Sequence, residues 1–134
     1  MLKDKNHEFS FSGLKTAVRN YIVACGLETI TAEHLNSLAA SFQEAVVEIL
    51  VEKTVRAAQE CGVEAIAVSG GVACNSRLRA HMQERGKDSG LEVFLPPPVL
   101  CTDNAAMIAL AGSHRLEPGS PFPFELNATS RLPL

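Results

Sequence analysis

Two glycines and an asparagine mark the stretch of this sequence with the clearest potential for chemistry. Gly70 and Gly71 follow the apolar run 63–69, and Asn75 precedes a segment with helical spacing. Glycine has no Cβ, so main-chain N–H groups can converge on a phosphate there, and a helix start adds unpaired N–H groups and a positive dipole end. The Asn75 amide can donate and accept toward a ribose or an acyl group. The pattern is that of a strand-to-helix nucleotide loop, although by spacing alone a tight turn is more common.

A second loop, 101–104, offers the carboxylate of Asp103. Carboxylates are natural ligands for a cation that lies beside phosphates. If the strands before the two loops are parallel neighbours, both loops emerge at the carboxyl end of one sheet, where open α/β sheets bind ligands. An aspartate at a helix start is more often an N-cap than a metal ligand, so the residues alone leave both interpretations open.

No complete catalytic centre is expected within the chain. Its histidines are isolated, without a His-x-x-x-His pair, and its cysteines are widely spaced, without a Cys-x-x-Cys pair. A full metal site and a Cys–His nucleophile dyad are therefore not expected, and we assign no catalytic residue or general base. The residues concerned are His7, His34, His81 and His114, and the four cysteines Cys25, Cys61, Cys74 and Cys101, which are expected to be free thiols.

Composition places the chain among ordinary globular proteins. Its 134 residues are 46% hydrophobic and 20% charged, which excludes wholesale disorder and suits one small domain or one lobe of a larger protein. No apolar run approaches the roughly 20 residues of a membrane span, and no signal-peptide pattern opens the sequence, so a cytoplasmic location is expected. The net charge of −3 does not suggest a basic nucleic-acid surface. Arg77, Arg79 and Arg85 are expected on a solvated helix face rather than on phosphate.

The N-terminal part predicts a short strand and an amphipathic helix. Phe9–Phe11 alternates apolar and polar residues, as a strand does. Ser12 is placed as the N-cap of a helix that buries one face and stops at Gly26.

The next segment predicts the longest helix of the chain. Thr31 can cap it, and Gly62 can end it after a pattern that reaches about Glu60. Its last two turns fit the apolar stripe less well. The stripe, expected to lie in the core, contains Leu35, Leu38, Ala39, Phe42, Ala45, Val46, Ile49 and Leu50.

The remainder of the chain predicts a parallel α/β arrangement. Strand patterns at 63–69 and 91–95 flank a helix, and the first strand is expected to be buried on both faces. Strands joined by a helix favour a parallel sheet with a right-handed crossover. The other predicted features are a helix capped by Asn75 or Ser76 and closed by Gly86, an extended exit through Pro96–Pro98, a helix from Thr102 or Asp103 to Gly112, and an extended Pro-rich tail over 117–134.

Three motifs follow one another along the chain: Phe9-Ser10-Phe11-Ser12-Gly13-Leu14-Lys15-Thr16-Ala17, the segment 69–79, and Pro98-x-x-Cys101-Thr102-Asp103-Asn104-Ala105-Ala106-Met107-Ile108-Ala109. Together they resemble the C-terminal part of the TsaD/Gcp family, the tRNA adenosine threonylcarbamoyltransferases once labelled O-sialoglycoprotein endopeptidases. They occur in the family's order, and the resemblance covers nearly the whole chain.

The resemblance implies an actin-like ATPase fold, in which two lobes of the ribonuclease-H type face each other across a nucleotide cleft. Residues 1–134 are then a fragment of the C-terminal lobe. It also implies transfer of a threonylcarbamoyl group from threonylcarbamoyl-adenylate, an ATP-derived substrate, to N6 of the adenosine next to the anticodon. The implied partners are tRNA and accessory proteins of the threonylcarbamoyladenosine pathway, with no membrane.

The resemblance further implies roles for four residues. Gly70 and Gly71 match the glycine turn that lies along the nucleotide, and Asn75 matches the asparagine that contacts the adenylate. Asp103 matches the aspartate that binds a metal, iron or zinc, together with the two histidines of a His-x-x-x-His motif. That motif and the first lobe are not in these 134 residues, so we expect the fragment alone to be inactive, to bind metal weakly and to hold no cofactor.

Two other function classes stay open beside the transferase. Another actin-like enzyme, such as a sugar or acetate kinase, also has a Gly-Gly turn after a strand, but not Thr-Asp-Asn-Ala-Ala-Met. A non-enzymatic lobe could use the long helix from Thr31 to Glu60 as a partner surface. The sequence contains no His-Glu-x-x-His motif, so it does not support the legacy peptidase label.

Overall fold

The computed structural model describes residues 6–116, without the side chain of Leu27, and the predicted tail at 117–134 lies outside that range. The chain divides into two compact units, Met1–Thr102 and Asp103–Leu134. The helices are α1 (Ser12–Cys25), α2 (Ala32–Cys61), α3 (Ser76–Asp88), α4 (Pro98–Cys101) and α5 (Ala105–Arg115), with 3₁₀ turns at Leu27–Thr29 and Gly71–Cys74, and the strands are β1 (Ala65–Ala67) and β2 (Glu92–Phe94). Across the described residues, every helix is too short or too polar to cross a membrane.

The long helix α2 has the ends that its sequence predicts. Thr31 is the N-cap, and its side chain accepts a hydrogen bond from the N–H of His34. Gly62 ends the helix in the left-handed conformation, with φ at 66°, and its N–H bonds to the carbonyls of Ala58 and Gln59. Both ends depend on one residue and its near neighbours, so local chemistry determines them.

The core lies on the second half of α2, whereas the sequence placed it along residues 35–50. Of the predicted stripe, only Ile49 is buried, and Leu35 near the start of the helix is 53% exposed. The last turns, which fit the stripe poorly, face α3 and the sheet, whose side chains cover them. The buried cluster contains Val47, Val51, Val55, Ala58, Ile66, Leu78, Met82 and Leu91.

The two strands pair in parallel, as predicted, and α3 connects them. The register places Ala65 opposite Glu92 and Ala67 opposite Phe94. Expected burial on both faces of the first strand is wrong, because Ile66 is buried while Ala65 and Ala67 are exposed. Ile66 belongs to the cluster with α2 and α3, so these helices cover one face of the sheet in the described part of the chain.

The predicted strand at Phe9–Phe11 is absent from the described structure. Residues 6–9 instead lie against α2, where the buried Lys53 donates to Asn6 Oδ1 (3.1 Å) and to the Glu8 carbonyl (2.6 Å) and sits over the ring of Phe9. Helix α1 does begin at Ser12, but Phe11 occupies the N-cap position without a side-chain cap bond. No residue of α1 is fully buried, and the predicted face is covered only in part, with Leu14, Val18 and Ile22 half-buried.

The helices that flank β2 differ from prediction in three places. Pro98 opens the one-turn helix α4 rather than prolonging an extended exit; proline suits a first helical position because its missing N–H has no partner there. Gly86 does not end α3, which continues to Asp88. The predicted N-cap at Thr102 or Asp103 is wrong as well, since Asn104 caps α5, which runs past Gly112 to Arg115.

Two ion pairs join α2 to α3 and refine the expectation that the arginines lie on a solvated face, because Arg77 and Arg85 are partly exposed but each is paired with a glutamate. Arg77 forms a two-point hydrogen-bonded pair with Glu44, and Arg85 does so with Glu52 at 2.6 and 2.9 Å. Both spacings, 44 to 52 and 77 to 85, equal eight residues, so the helices run in the same direction with the pairs about two turns apart. The arginines are thereby committed to carboxylates of the protein.

We expect the Glu52–Arg85 pair to stabilise the chain at neutral pH but not in acid. Hydrogen bonds from Arg85 hold the pKa of Glu52 below its ordinary value of 4.5, so the contribution is present above that value and is lost as the pH falls through the lower folded pKa. Both side chains are about one-third exposed, so a double-mutant cycle with Glu52→Gln and Arg85→Met should give a coupling of about 0.2–1 kcal/mol at pH 7. Urea unfolding at a series of pH values from 7 downward measures it, and a coupling that does not decrease in acid would contradict the assignment.

Candidate functional site

The glycine loop follows β1 directly and has a conformation that requires glycine at one position only. Gly70 has φ at 89°, which side chains with a Cβ rarely adopt. The 3₁₀ turn Gly71–Cys74 comes next, with the N–H of Ala73 bonded to the Gly70 carbonyl at 2.9 Å. The N–H groups of Gly71 and Val72 open this turn and therefore have no acceptor within it.

Gly71 is a glycine that neither backbone conformation nor packing in the described chain demands. Its φ is not positive, and a Cβ added to it would meet no atom within 4 Å. A side chain would fit there as far as residues 6–116 are concerned. The absence of one leaves the main chain of the loop open to close approach by a ligand.

Asn75 has a structural role in addition to the nucleotide role that the sequence predicts. It caps α3, as expected, with Oδ1 accepting from the N–H of Leu78 at 2.9 Å. Its Nδ2 donates to Gln43 Oε1 on α2 at 3.0 Å. An amide has two N–H donors and two lone pairs on oxygen, so one donor and one acceptor position of Asn75 remain for a ligand.

Arg79 holds the glycine loop against the segment that follows β2. Its guanidinium donates to the carbonyls of Ala73 (3.0 Å) and Pro96 (2.9 Å) and lies 3.9 Å from Cys101 Sγ. The sequence placed Arg79 on a solvated helix face, because no spacing pattern reveals that its partners are backbone carbonyls of the glycine loop and of the segment after β2. The arginine therefore supports the loop and is not available to a phosphate.

Two clefts flank the glycine loop on the side of α2. One, of about 310 Å³, contains Thr54, Ser69 and Val72 in its lining. The other, of about 270 Å³, contains Gln43, Val72 and Asn75. Ligand sites usually occupy about 300–1,000 Å³, so each cleft alone is at or below the lower end of that range. The described chain thus supplies a surface for part of a nucleotide rather than an enclosed site.

Asp103 is the first residue of the second compact unit. Its side chain is exposed, and Asn104 caps α5 in its place, with Oδ1 accepting from the N–H of Met107 at 3.1 Å. Asp103, Asn104 and Ile108 line a shallow hollow of about 370 Å³. The carboxylate is therefore not used as a helix cap, which is the role that competed with metal binding in the sequence.

The described residues do not form a complete metal centre. Within 6–116, no three histidine, cysteine, aspartate or glutamate side chains come together as a ligand group. Two histidines have other partners, since His7 bonds to Glu60 at 2.7 Å and His34 to Tyr21 at 2.8 Å. The Asp103 carboxylate suits iron or zinc chemically as one ligand, and further ligands are required from outside this part of the chain.

Comparison with known proteins gives one consistent result. Residues 1–110 match the family model TsaD, described as tRNA N6-adenosine threonylcarbamoyltransferase. The chain is 50% identical to proteins of that name from Syntrophotalea carbinolica, over 134 residues, and Thermotoga neapolitana, over 132 residues. The protein of that name from Geobacter sulfurreducens is 46% identical over 134 residues.

Each match covers nearly all of this chain but less than half of the relative's length. They include 100%, 98% and 100% of this chain, but the chain spans only about 39% of the length of each of the three relatives. Gly70, Gly71, Asn75 and Asp103 all lie within the residues that match the family model.

Proposed function

Because the chain belongs to the TsaD family of tRNA N6-adenosine threonylcarbamoyltransferases, we propose that it forms one wall of a threonylcarbamoyl transfer site. In the proposed reaction, the N6 amine of a tRNA adenosine attacks the carbamoyl carbonyl carbon of threonylcarbamoyl-adenylate. A new N–C bond forms, the bond between that carbon and the phosphate oxygen breaks, and AMP leaves with the electron pair. The amine loses a proton, and we assign no residue of this chain as the base.

The proposed role of the glycine loop is to hold the adenylate. The N–H groups of Gly71 and Val72 can donate to its phosphate or ribose oxygens, and the remaining positions of the Asn75 amide can bond to its ribose or carbamoyl group. The single observation that carries this proposal is Gly71, a glycine that the described structure does not require for conformation or packing. Close approach of a ligand to the main chain accounts for it.

The proposed role of Asp103 is to supply one carboxylate ligand to an iron or zinc ion. When bound, such an ion offsets the negative charge of the adenylate and favours attack at its carbonyl. The exposed, non-capping position of Asp103 supports this role. The other ligands are proposed to come from the part of the transferase that this chain, at about 39% of its relatives' length, does not include.

The proposed setting of the reaction is the cytoplasm, with tRNA as substrate and accessory proteins of threonylcarbamoyladenosine synthesis as partners. Support for tRNA comes from the name shared by the relatives. The chain's net charge of −3 indicates that most contacts to tRNA phosphates are made elsewhere in the transferase.

A partner-binding lobe without catalysis is the second candidate. A groove of about 460 Å³ between α1 and α2 favours it, with Val18, Ile22 and Phe42 in its lining. Apolar grooves of this kind occur where another protein segment packs. The kinase alternative has no comparable observation in its favour.

The proposed transfer is tested by placing this chain in a complete protein. We expect a chimera, in which the chain replaces the 132 matching residues of the Thermotoga neapolitana relative, to transfer threonylcarbamoyl to tRNA adenosine, measured by mass spectrometry of the nucleosides. The isolated 134-residue chain should show no transfer and no micromolar iron or zinc binding by calorimetry. A folded chimera without transfer would overturn the proposal, and transfer by the isolated chain would overturn its one-wall form.

A further inference from the structure

We propose that Gln43 is a positioning residue that orients the Asn75 amide for the adenylate. The inference rests on the adenylate role proposed above for Asn75. Gln43 lies on α2, 32 residues from Asn75 in sequence, and its Oε1 accepts from Asn75 Nδ2 at 3.0 Å. This bond joins the glycine loop to the helix that carries the core.

The two bonds of Asn75 select one orientation of its amide. The N–H of Leu78 can only donate, so the atom of Asn75 that faces it at 2.9 Å must be Oδ1. Nδ2 then faces Gln43, which must present its oxygen. The free N–H and the free lone pair of Asn75 consequently point in fixed directions, and the ligand meets an amide that needs no reorganisation.

Gln43 can be removed without separating α2 from α3. The adjacent Glu44 makes the two-point pair with Arg77, and the buried cluster begins at Val47, one turn further along α2. The helix contact therefore has independent support. Loss of the Gln43 oxygen should leave Asn75 held by the cap bond at Leu78 alone, so that its amide can turn about that bond while the fold remains.

The inference predicts a specific loss of substrate binding in the chimera. Gln43→Met keeps the length of the side chain but has no strong acceptor, so KM for threonylcarbamoyl-adenylate should rise about 3- to 10-fold with little change in kcat, the effect of one net hydrogen bond. Gln43→Glu keeps an acceptor for Nδ2 and should stay within about twofold of the parent. The thermal unfolding midpoint should change little in either variant.

A matched control separates positioning from loosening of the helix contact. Glu44→Gln weakens the neighbouring bridge to Arg77 without touching Asn75, so it should alter stability more than KM. A Gln43→Met chimera with unchanged KM, or one whose KM rises no more than that of Glu44→Gln, overturns this inference and leaves the proposed function standing. A folded parent chimera without transfer overturns both.

Discussion

Replacement of Gly86 by alanine is expected to lower the free energy of unfolding of the chain by up to about 2 kcal/mol. Gly86 lies inside α3, buried against β2, and a Cβ added there would clash with Val93 Cγ2 and lie 3.4 Å from the Leu91 carbonyl. Val93 is β-branched and stiff, so it cannot turn aside easily. Overpacking costs about 1–3 kcal/mol, and the gain of about 1 kcal/mol from replacing a helical glycine offsets only part of it.

Two further variants identify the contact responsible. Gly13→Ala changes a glycine in α1 that has no atom within 4 Å of the added Cβ, so it should be neutral or slightly stabilising. Val93→Ala should make Gly86→Ala tolerable, giving a favourable coupling in a double-mutant cycle. Chemical denaturation of the four proteins of the cycle and of Gly13→Ala measures this, and independent effects at Gly86 and Val93 would show that α3 does not pack on β2 at this point.

Features that depend on a few neighbouring residues were predictable from the sequence. The ends of α2 at Thr31 and Gly62 and the cap at Asn75 are examples, because a side chain or a left-handed glycine satisfies the helix end by itself. The parallel pairing of β1 and β2 was also predictable, since two short apolar runs separated by one helix leave few other arrangements.

Features that depend on distant partners were not predictable. Gly86 has the residue type of a helix end, yet it serves close packing against Val93, which lies beyond the end of α3. Arg79 binds carbonyls at Ala73 and Pro96, and Phe9 lies against Lys53 of α2 instead of in a strand. Each outcome depends on which segment the fold brings alongside, and hydrophobic period and capping rules carry no such information.

In the glycine loop and in the loop at 101–104, residue types were predictable but their hydrogen-bond partners were not. The sequence identified Gly70, Gly71, Asn75 and Asp103 from residue type and family motif, without their partners. The structure adds that Asn75 is held by Gln43 and that Asn104, not Asp103, caps α5. Thr102, Asp103 and Asn104 are all acceptable caps by type, so residue type alone does not decide which of the three caps α5.

Replacement of Asp103 by alanine in the chimera is expected to abolish most of the transfer while leaving the stability of the metal-free protein unchanged. Asp103 is exposed and does not cap α5, so its loss removes no packing and no helix-end hydrogen bond. If it supplies a metal ligand, the variant loses charge stabilisation of several kcal/mol in the transition state. That corresponds to a decrease in kcat/KM of at least about 100-fold, which an initial-rate assay with tRNA and threonylcarbamoyl-adenylate measures.

The same variant decides between the transferase and the partner-binding lobe. A lobe that acts only as a binding surface should tolerate Asp103→Ala, since the groove between α1 and α2 is lined by other residues. Asp88→Ala is the matched control, because Asp88 is also an exposed aspartate, at the end of α3, and its loss should change neither transfer nor iron and zinc content. Retention of both transfer and bound metal in Asp103→Ala would remove Asp103 from the site, while loss of transfer and metal together, with an unchanged unfolding midpoint of the metal-free proteins, assigns its carboxylate to the metal.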